Sequence, residues 1–121
     1  MLMAVSPFVG VWDGKVNDLP AIEVKIEKGA DHLTGRIAFY LQKQGKDGKW
    51  QIEGYAFDAP MLELKVKGKT LTFETVHYKK HGSKERDPNV KFRMELTGTD
   101  EARLIRGEDR MAESLMLVRR K

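Results

Sequence analysis

Hydrophobic and polar residues alternate with a period of two along most of this chain. In the clearest run, apolar Ile22, Val24 and Ile26 alternate with charged residues. A period of two is typical of a β-strand that buries one face. Similar runs follow around residues 33–42, 50–57, 62–67, 71–76, 90–97 and 115–117. The pattern therefore predicts an all-β protein.

Short segments rich in Gly, Pro, Asn and Asp separate the predicted strands, at residues 17–20, 28–31, 47–48, 58–60, 67–69, 97–100 and 107–109. Short turns join neighbouring antiparallel strands, so we expect successive strands to pair as hairpins. Closure of such a sheet leaves no exposed edge. We therefore predict an antiparallel up-and-down β-barrel of about 8–10 strands, forming one domain over residues 1–121. The longest connection, residues 79–89, is basic and could act as a flap over the barrel mouth.

The two ends of the chain carry a pair of matching motifs. The first strand reads Gly10-Val11-Trp12-Asp13-Gly14, and the last carries Leu115, Leu117 and Arg119 on one face. Gly10 and Gly14 share a face with Trp12 and let the strand bend where a barrel closes. We expect Arg119 to lie over the Trp12 indole, a cation–π contact of about 1–2 kcal/mol. These residues are thus predicted to have a structural role in closing the barrel.

With these motifs the chain resembles the calycin superfamily of lipocalins, fatty-acid-binding proteins and avidin-like barrels. It also resembles small lipocalin-like bacterial proteins of unknown function, in which a Gly-x-Trp-x-Gly opening and segments like Lys91–Gly98 recur. The resemblance implies a lipocalin-like barrel that can hold a small ligand. The turn at residues 17–20 is too short for the helical lid of fatty-acid-binding proteins, so we expect a barrel without a lid.

The apolar inner face predicts a binding protein for a small apolar or fatty-acid-like ligand. The candidate ligand-binding residues are Ile22, Val24, Ile37, Phe39, Ile52, Leu64, Phe73, His77, Phe92 and Met94. The alternative is that the same side chains fill the interior. The protein would then be an interaction module, such as an inhibitor or the subunit of a homodimer, that uses Tyr55 and Phe57 as its contact surface.

The sequence shows no constellation of residues that would support catalysis, so we expect neither an enzyme nor a cofactor. His77 and His81 are four residues apart, which on a strand separates them by about 13 Å, too far for one metal ion. The absence of cysteine excludes disulfides and thiolate chemistry. We therefore predict no catalytic residues and no metal ligands.

The net charge of the chain is modest and is distributed along the strands. The chain has 22 basic and 18 acidic residues, a net charge of +4, and most lysines alternate with glutamates along strands. A nucleic-acid-binding protein usually gathers its basic residues on one face, so we expect no specific nucleic-acid partner. No apolar run approaches the length of a membrane span. The first residues do not resemble a signal peptide, so we expect a cytoplasmic protein, or a periplasmic or secreted one if an export signal has been removed.

Overall fold

The computed structural model describes residues 6–78, 86–107 and 113–120, except for the side chains of residues 56–57, 77–78, 86–88 and 113. The described residues form nine strands and no helix, which confirms the predicted all-β fold. The strands are β1 (Gly10–Val16), β2 (Leu19–Lys28), β3 (Leu33–Gln44), β4 (Trp50–Pro60), β5 (Leu62–Lys67), β6 (Thr70–Tyr78), β7 (Arg86–Leu96), β8 (Glu101–Arg106) and β9 (Glu113–Arg119).

All nine strands belong to one antiparallel sheet with the order β4-β3-β2-β1-β9-β8-β7-β6-β5. The first and last strands are neighbours, and Trp12 pairs with Arg119. Although four strands lie between β3 and β7 in this order, the rings of Phe39 and Phe92 are 6.1 Å apart, centroid to centroid. The sheet therefore curls on itself into an open barrel, as the fold prediction expected.

The connection between β1 and β2 is a tight turn. Asn17 and Asp18 have φ angles of 56° and 61°. Two successive residues with positive φ define a type I′ turn, whose twist matches that of the two strands it joins. Asn and Asp are the non-glycine residues that adopt this conformation most readily. The short turn explains why no helix covers the barrel after the first strand.

One predicted hairpin is wrong. We expected a turn at residues 58–60, but β4 continues through Pro60, which pairs with Arg36. Met61 alone separates β4 from β5, and these two strands are the opposite edges of the sheet. Pro60 has no amide hydrogen to donate, which an edge strand tolerates. The amide of Met61 instead donates to the carbonyl of Gly35 at 2.8 Å.

The core lies on the concave face of the sheet, toward the end where Trp12 meets Arg119. Its buried side chains come from β1, β2, β3, β6, β7, β8 and β9 and include Trp12, Val24, Ile26, Ile37, Leu71, Phe73, Met94 and Leu117. The rings of Phe73 and Phe92 stack at 5.1 Å. This half of the barrel is filled by side chains.

Candidate functional site

The Trp12 end of the barrel is closed by the segment that precedes β1. The indole Nε1 of Trp12 donates to the carbonyl of Phe8 at 3.0 Å, and the Phe8 side chain is fully buried. Arg119 lies over the Trp12 ring, with Cζ 4.5 Å from the centroid. Its Nη2 donates to the carbonyl of Pro7, and its Nε lies 3.6 Å from Oδ1 of Asp100. These contacts join the described residues of this segment to β1 and β9.

The two glycines of the first motif allow β9 to approach β1. Gly10 has a φ of 141°, and a Cβ atom there would lie 3.4 Å from Cδ of Arg119. A Cβ atom on Gly14 would lie 2.7 Å from Cδ2 of Leu115 and 2.9 Å from Cδ2 of Leu117. Gly14 is thus crowded by inward side chains of β9, whereas a Cβ atom on Gly10 would make an ordinary contact and glycine is favoured there by its positive φ.

An interior cleft of ≈ 520 Å³ opens at the other end of the barrel. Its lining includes Val16 and Ser114, which lie at the ends of β1 and β9 far from the Trp12–Arg119 pair. Most of its wall is apolar and comes from Ile22, Phe39, Phe92, Leu104 and Leu115. The barrel is therefore filled at one end and open at the other.

Arg106 is the charged residue of this lining. Ala102, Leu104 and Arg106 alternate along β8 with a period of two, and Ala102 and Leu104 are buried. Arg106 pairs with Phe92 on the neighbouring strand β7. The described residues provide no ion-pair partner for Arg106, and its side chain is exposed. Sequence reasoning did not identify it, although the alternation of Ala102, Leu104 and Arg106 placed it on the inner face.

Gln42 fixes one rim of the interior cleft. Its Nε2 donates to the carbonyls of Val16 at 3.0 Å and Pro20 at 3.2 Å, and its Oε1 accepts from Nδ2 of Asn17 at 3.2 Å. This side chain ties β3 to the β1–β2 turn. The position of the rim is thus set by hydrogen bonds to backbone groups.

The structure divides the predicted ligand-binding residues between the cleft and the core. Ile22, Phe39 and Phe92 line the interior cleft. Four others, Val24, Ile37, Phe73 and Met94, are buried in the packed half of the barrel, and Leu64 packs against that core from the edge strand β5. These eight predicted residues therefore share the concave face, but five of them do not line the interior cleft.

Ile52 does not belong to this set. The pairing of β3 with β4 places Ile52 opposite Gln42, on the face of Tyr40 rather than that of Phe39. The register shifts twice between Phe39 and Gln42, and two one-residue shifts on the same strand leave the face of Ile52 unchanged. Gly54, with a φ of 104°, lies within this irregular stretch and supplies a conformation that other residues rarely adopt. Ile52 is 40% exposed. Strict alternation through residues 50–57 predicted the wrong face.

Two further predictions fall on parts of the chain outside the description. The side chain of His77 is not described, although its backbone pairs with that of Asp87. The side chain of Phe57 is likewise not described, and residues 79–85 of the predicted flap lie wholly outside the described residues. The last part of the predicted loop is strand, because β7 begins at Arg86.

The convex face carries a polar network across four neighbouring strands and the end of β9. Arg120 donates to Oδ2 of Asp13 from Nε at 2.9 Å and to Oε2 of Glu23 from Nη2 at 2.9 Å. The hydrogen bonds to Asp13 and Glu23 raise the pKa of Arg120 further above its already high value. Tyr40 stacks on Tyr55 with ring centroids 4.8 Å apart. Hydrogen bonding to Tyr55, burial and the charge of Glu23 raise the pKa of Tyr40 to about 12.

Comparison of the chain with protein-family models, with curated proteins and with solved structures finds no match. Among the described residues, no group of three or more His, Cys, Asp or Glu side chains is placed to hold a metal ion. The same residues include no helix long and apolar enough to cross a membrane. The interior cleft and the exposed surface of the sheet are the candidate functional features of the described residues.

Proposed function

We propose that this protein binds a small molecule with an apolar body and an acidic head in the interior cleft. The observation that carries the proposal is the composition of the wall, in which apolar side chains surround a single described cation, Arg106. The volume of ≈ 520 Å³ falls within the range of small-molecule sites. The apolar body would lie against Phe39 and Phe92, and the acidic head would pair with Arg106 at the mouth.

Both parts of the ligand are needed for useful affinity. Each buried methylene contributes about 0.8 kcal/mol, so an apolar body of about eight methylenes supplies roughly 6 kcal/mol. A hydrogen bond between charged groups adds about 1.5–3 kcal/mol. The loss of translational and conformational freedom on binding offsets part of this favourable free energy. We therefore expect dissociation constants on the order of 10–100 μM for a medium-chain fatty acid.

The role of Arg106 can be tested with a fluorescent fatty acid and the matched neutral alcohol. We expect Arg106→Gln to weaken binding of the acid by about tenfold and to leave binding of the alcohol unchanged. Arg103→Gln is the matched control, because Arg103 lies on the same strand but on the other face. Equal loss for acid and alcohol would show that Arg106 does not bind the acidic head.

The position of the ligand can be tested by filling the cleft. Phe39→Trp enlarges a side chain of the wall and should abolish uptake of the probe while circular dichroism shows an intact sheet. Tyr55→Trp is the control, because it places the same side chain on the convex face. If the wild-type protein shows no saturable uptake of fatty acids or naphthalene-sulfonate probes, the proposal is wrong. A filled barrel that acts as a protein-interaction module would then be the better interpretation.

A further inference from the structure

We propose that two copies of the chain associate by antiparallel pairing of their β4 edges, with the two-fold axis at Gln51. Strand β4 is an edge of the sheet, and an edge strand presents backbone N–H and C=O groups that can pair with another strand. All residues from 50 to 55 are exposed. Trp50 is 42% exposed and Ile52 is 40% exposed, so the edge also exposes two large apolar side chains.

The exposed segment extends beyond the barrel wall. Strand β2 pairs with β3 as far as Phe39, whereas β3 and β4 remain paired as far as Gln44 and Trp50. The end of this hairpin is therefore a two-stranded ribbon without a third strand on the described chain. Such a ribbon is marginally stable by itself. Addition of a strand along β4 would bury the apolar side chains and satisfy the free backbone groups.

The sequence of the segment, Lys49-Trp50-Gln51-Ile52-Glu53, is complementary to itself when read antiparallel. With the two-fold axis at Gln51, Lys49 of one copy faces Glu53 of the other. Trp50 faces Ile52 in the same way, and the two Gln51 side chains face each other. Opposite charges and apolar side chains in direct cross-strand pairs each stabilise an antiparallel sheet. Symmetry forms the Lys49–Glu53 and Trp50–Ile52 pairs twice, as a two-fold interface requires.

The charges at the ends of the segment are available for this pairing. The described residues provide no ion-pair partner for Lys49 or for Glu53, and both side chains are exposed. The other edge, β5, is less suitable. Pairing centred on Leu64 would also join Glu63 to Lys65, but Leu64 lies in the stretch where the β5–β6 pairing is irregular, and Glu63 has a φ of 56°. Gln51, in contrast, lies in a regular part of the β3–β4 pairing. Self-association is therefore expected at β4.

The interface is short, so we expect a weak dimer with a dissociation constant on the order of 100 μM. Sedimentation velocity on the full chain from about 1 μM to about 1 mM covers this range. Lys49→Glu and Glu53→Lys each place like charges opposite each other twice, and each should raise the dissociation constant by about tenfold. The double variant restores both pairs with their signs exchanged and should recover wild-type association. Lys65→Glu on β5 is the matched control and should leave association unchanged.

Circular dichroism and thermal unfolding of each variant separate loss of pairing from loss of folding. Recovery of the dimer in the double variant would support the proposal even if one single variant were destabilised. A wild-type protein that remains monomeric at about 1 mM would overturn it. A dimer that is insensitive to both charge reversals would also overturn it, because the copies would then meet at another surface.

Discussion

The guanidinium carbon of Arg119 lies 4.5 Å from the ring centroid of Trp12, and the two residues are direct cross-strand partners on β9 and β1. Trp12 is fully buried, and the Arg119 side chain is 26% exposed. The cation is therefore partly removed from water, which strengthens its attraction to the ring. This contact joins the two ends of the chain and closes one end of the barrel.

The double variant Trp12→Ala/Arg119→Ala should lose less stability than the sum of the losses in the two single variants. Both substitutions remove the same contact, so a double-mutant cycle of the free energy of unfolding should show a coupling of about 0.5–2 kcal/mol. Chemical denaturation of the four proteins measures it. Asp100→Asn is the comparison, because Asp100 contacts Arg119 but is not part of the ring contact. Additive losses within about 0.3 kcal/mol would mean that the ring contact contributes nothing.

Gly35→Ala should destabilise the protein by about 1–3 kcal/mol, the usual cost of overpacking. A Cβ atom at this position would lie 2.5 Å from Sδ of Met61 and 2.9 Å from the backbone oxygen of Lys25. The thioether can move, but the oxygen belongs to the adjacent strand β2 and cannot. Gly98→Ala is the control, because its Cβ atom would meet no heavy atom closer than 3.9 Å. Equal unfolding midpoints for the two variants would contradict the crowding at Gly35.

The protein should lose stability as the pH rises from about 10 to about 12. Tyr40 has its pKa raised to about 12 in the folded protein, chiefly by hydrogen bonding to Tyr55, whereas an unfolded tyrosine ionises near pH 10. The folded state thus holds the proton more tightly. The resulting contribution of Tyr40 to the free energy of unfolding is fully present below about pH 10 and is lost above about pH 12. Tyr40→Phe should remove this part of the pH dependence in denaturation experiments. A Tyr40 that ionises near pH 10 in an ultraviolet titration would contradict the prediction.

Nucleic acids should bind weakly and without sequence preference. Several described basic side chains are paired with carboxylates within the chain, among them Lys25 with Glu27, Arg36 with Asp58 and Arg93 with Glu95. The other lysines and arginines mostly alternate with acidic residues along the strands, so few of them can neutralise phosphates together. Fluorescence anisotropy with labelled oligonucleotides should give dissociation constants weaker than about 1 μM at physiological salt. Tighter binding with a steep salt dependence would instead show that a basic surface of the protein contacts several phosphates at once.

The alternation of residues determined most of the strands and the side that each one buries. Ile22, Val24, Phe73 and Met94 lie on the concave face as predicted, because a strand that buries one face must place every second side chain there. The motifs at the two chain ends also predicted the contact of Trp12 with Arg119. The alternation is local and the end motifs depend on one specific pair, so both can be recognised in the sequence.

The tertiary structure decided which strands meet, how they are offset and where open space remains. The pairing of β4 with β3 placed Ile52 on the convex face, because Ala59 and Phe57, which differ from Ile52 by an odd number of residues, pair with the inward residues Ile37 and Phe39. The burial of Phe8 against Trp12 and the position of Arg106 at the mouth depend on contacts between distant segments. Period-two alternation specifies the face of a residue but neither the register of its strand nor the volume enclosed by the sheet. For that reason the sequence predicted a barrel, whereas the cleft beside Phe39 and the free edge of β4 became evident in three dimensions.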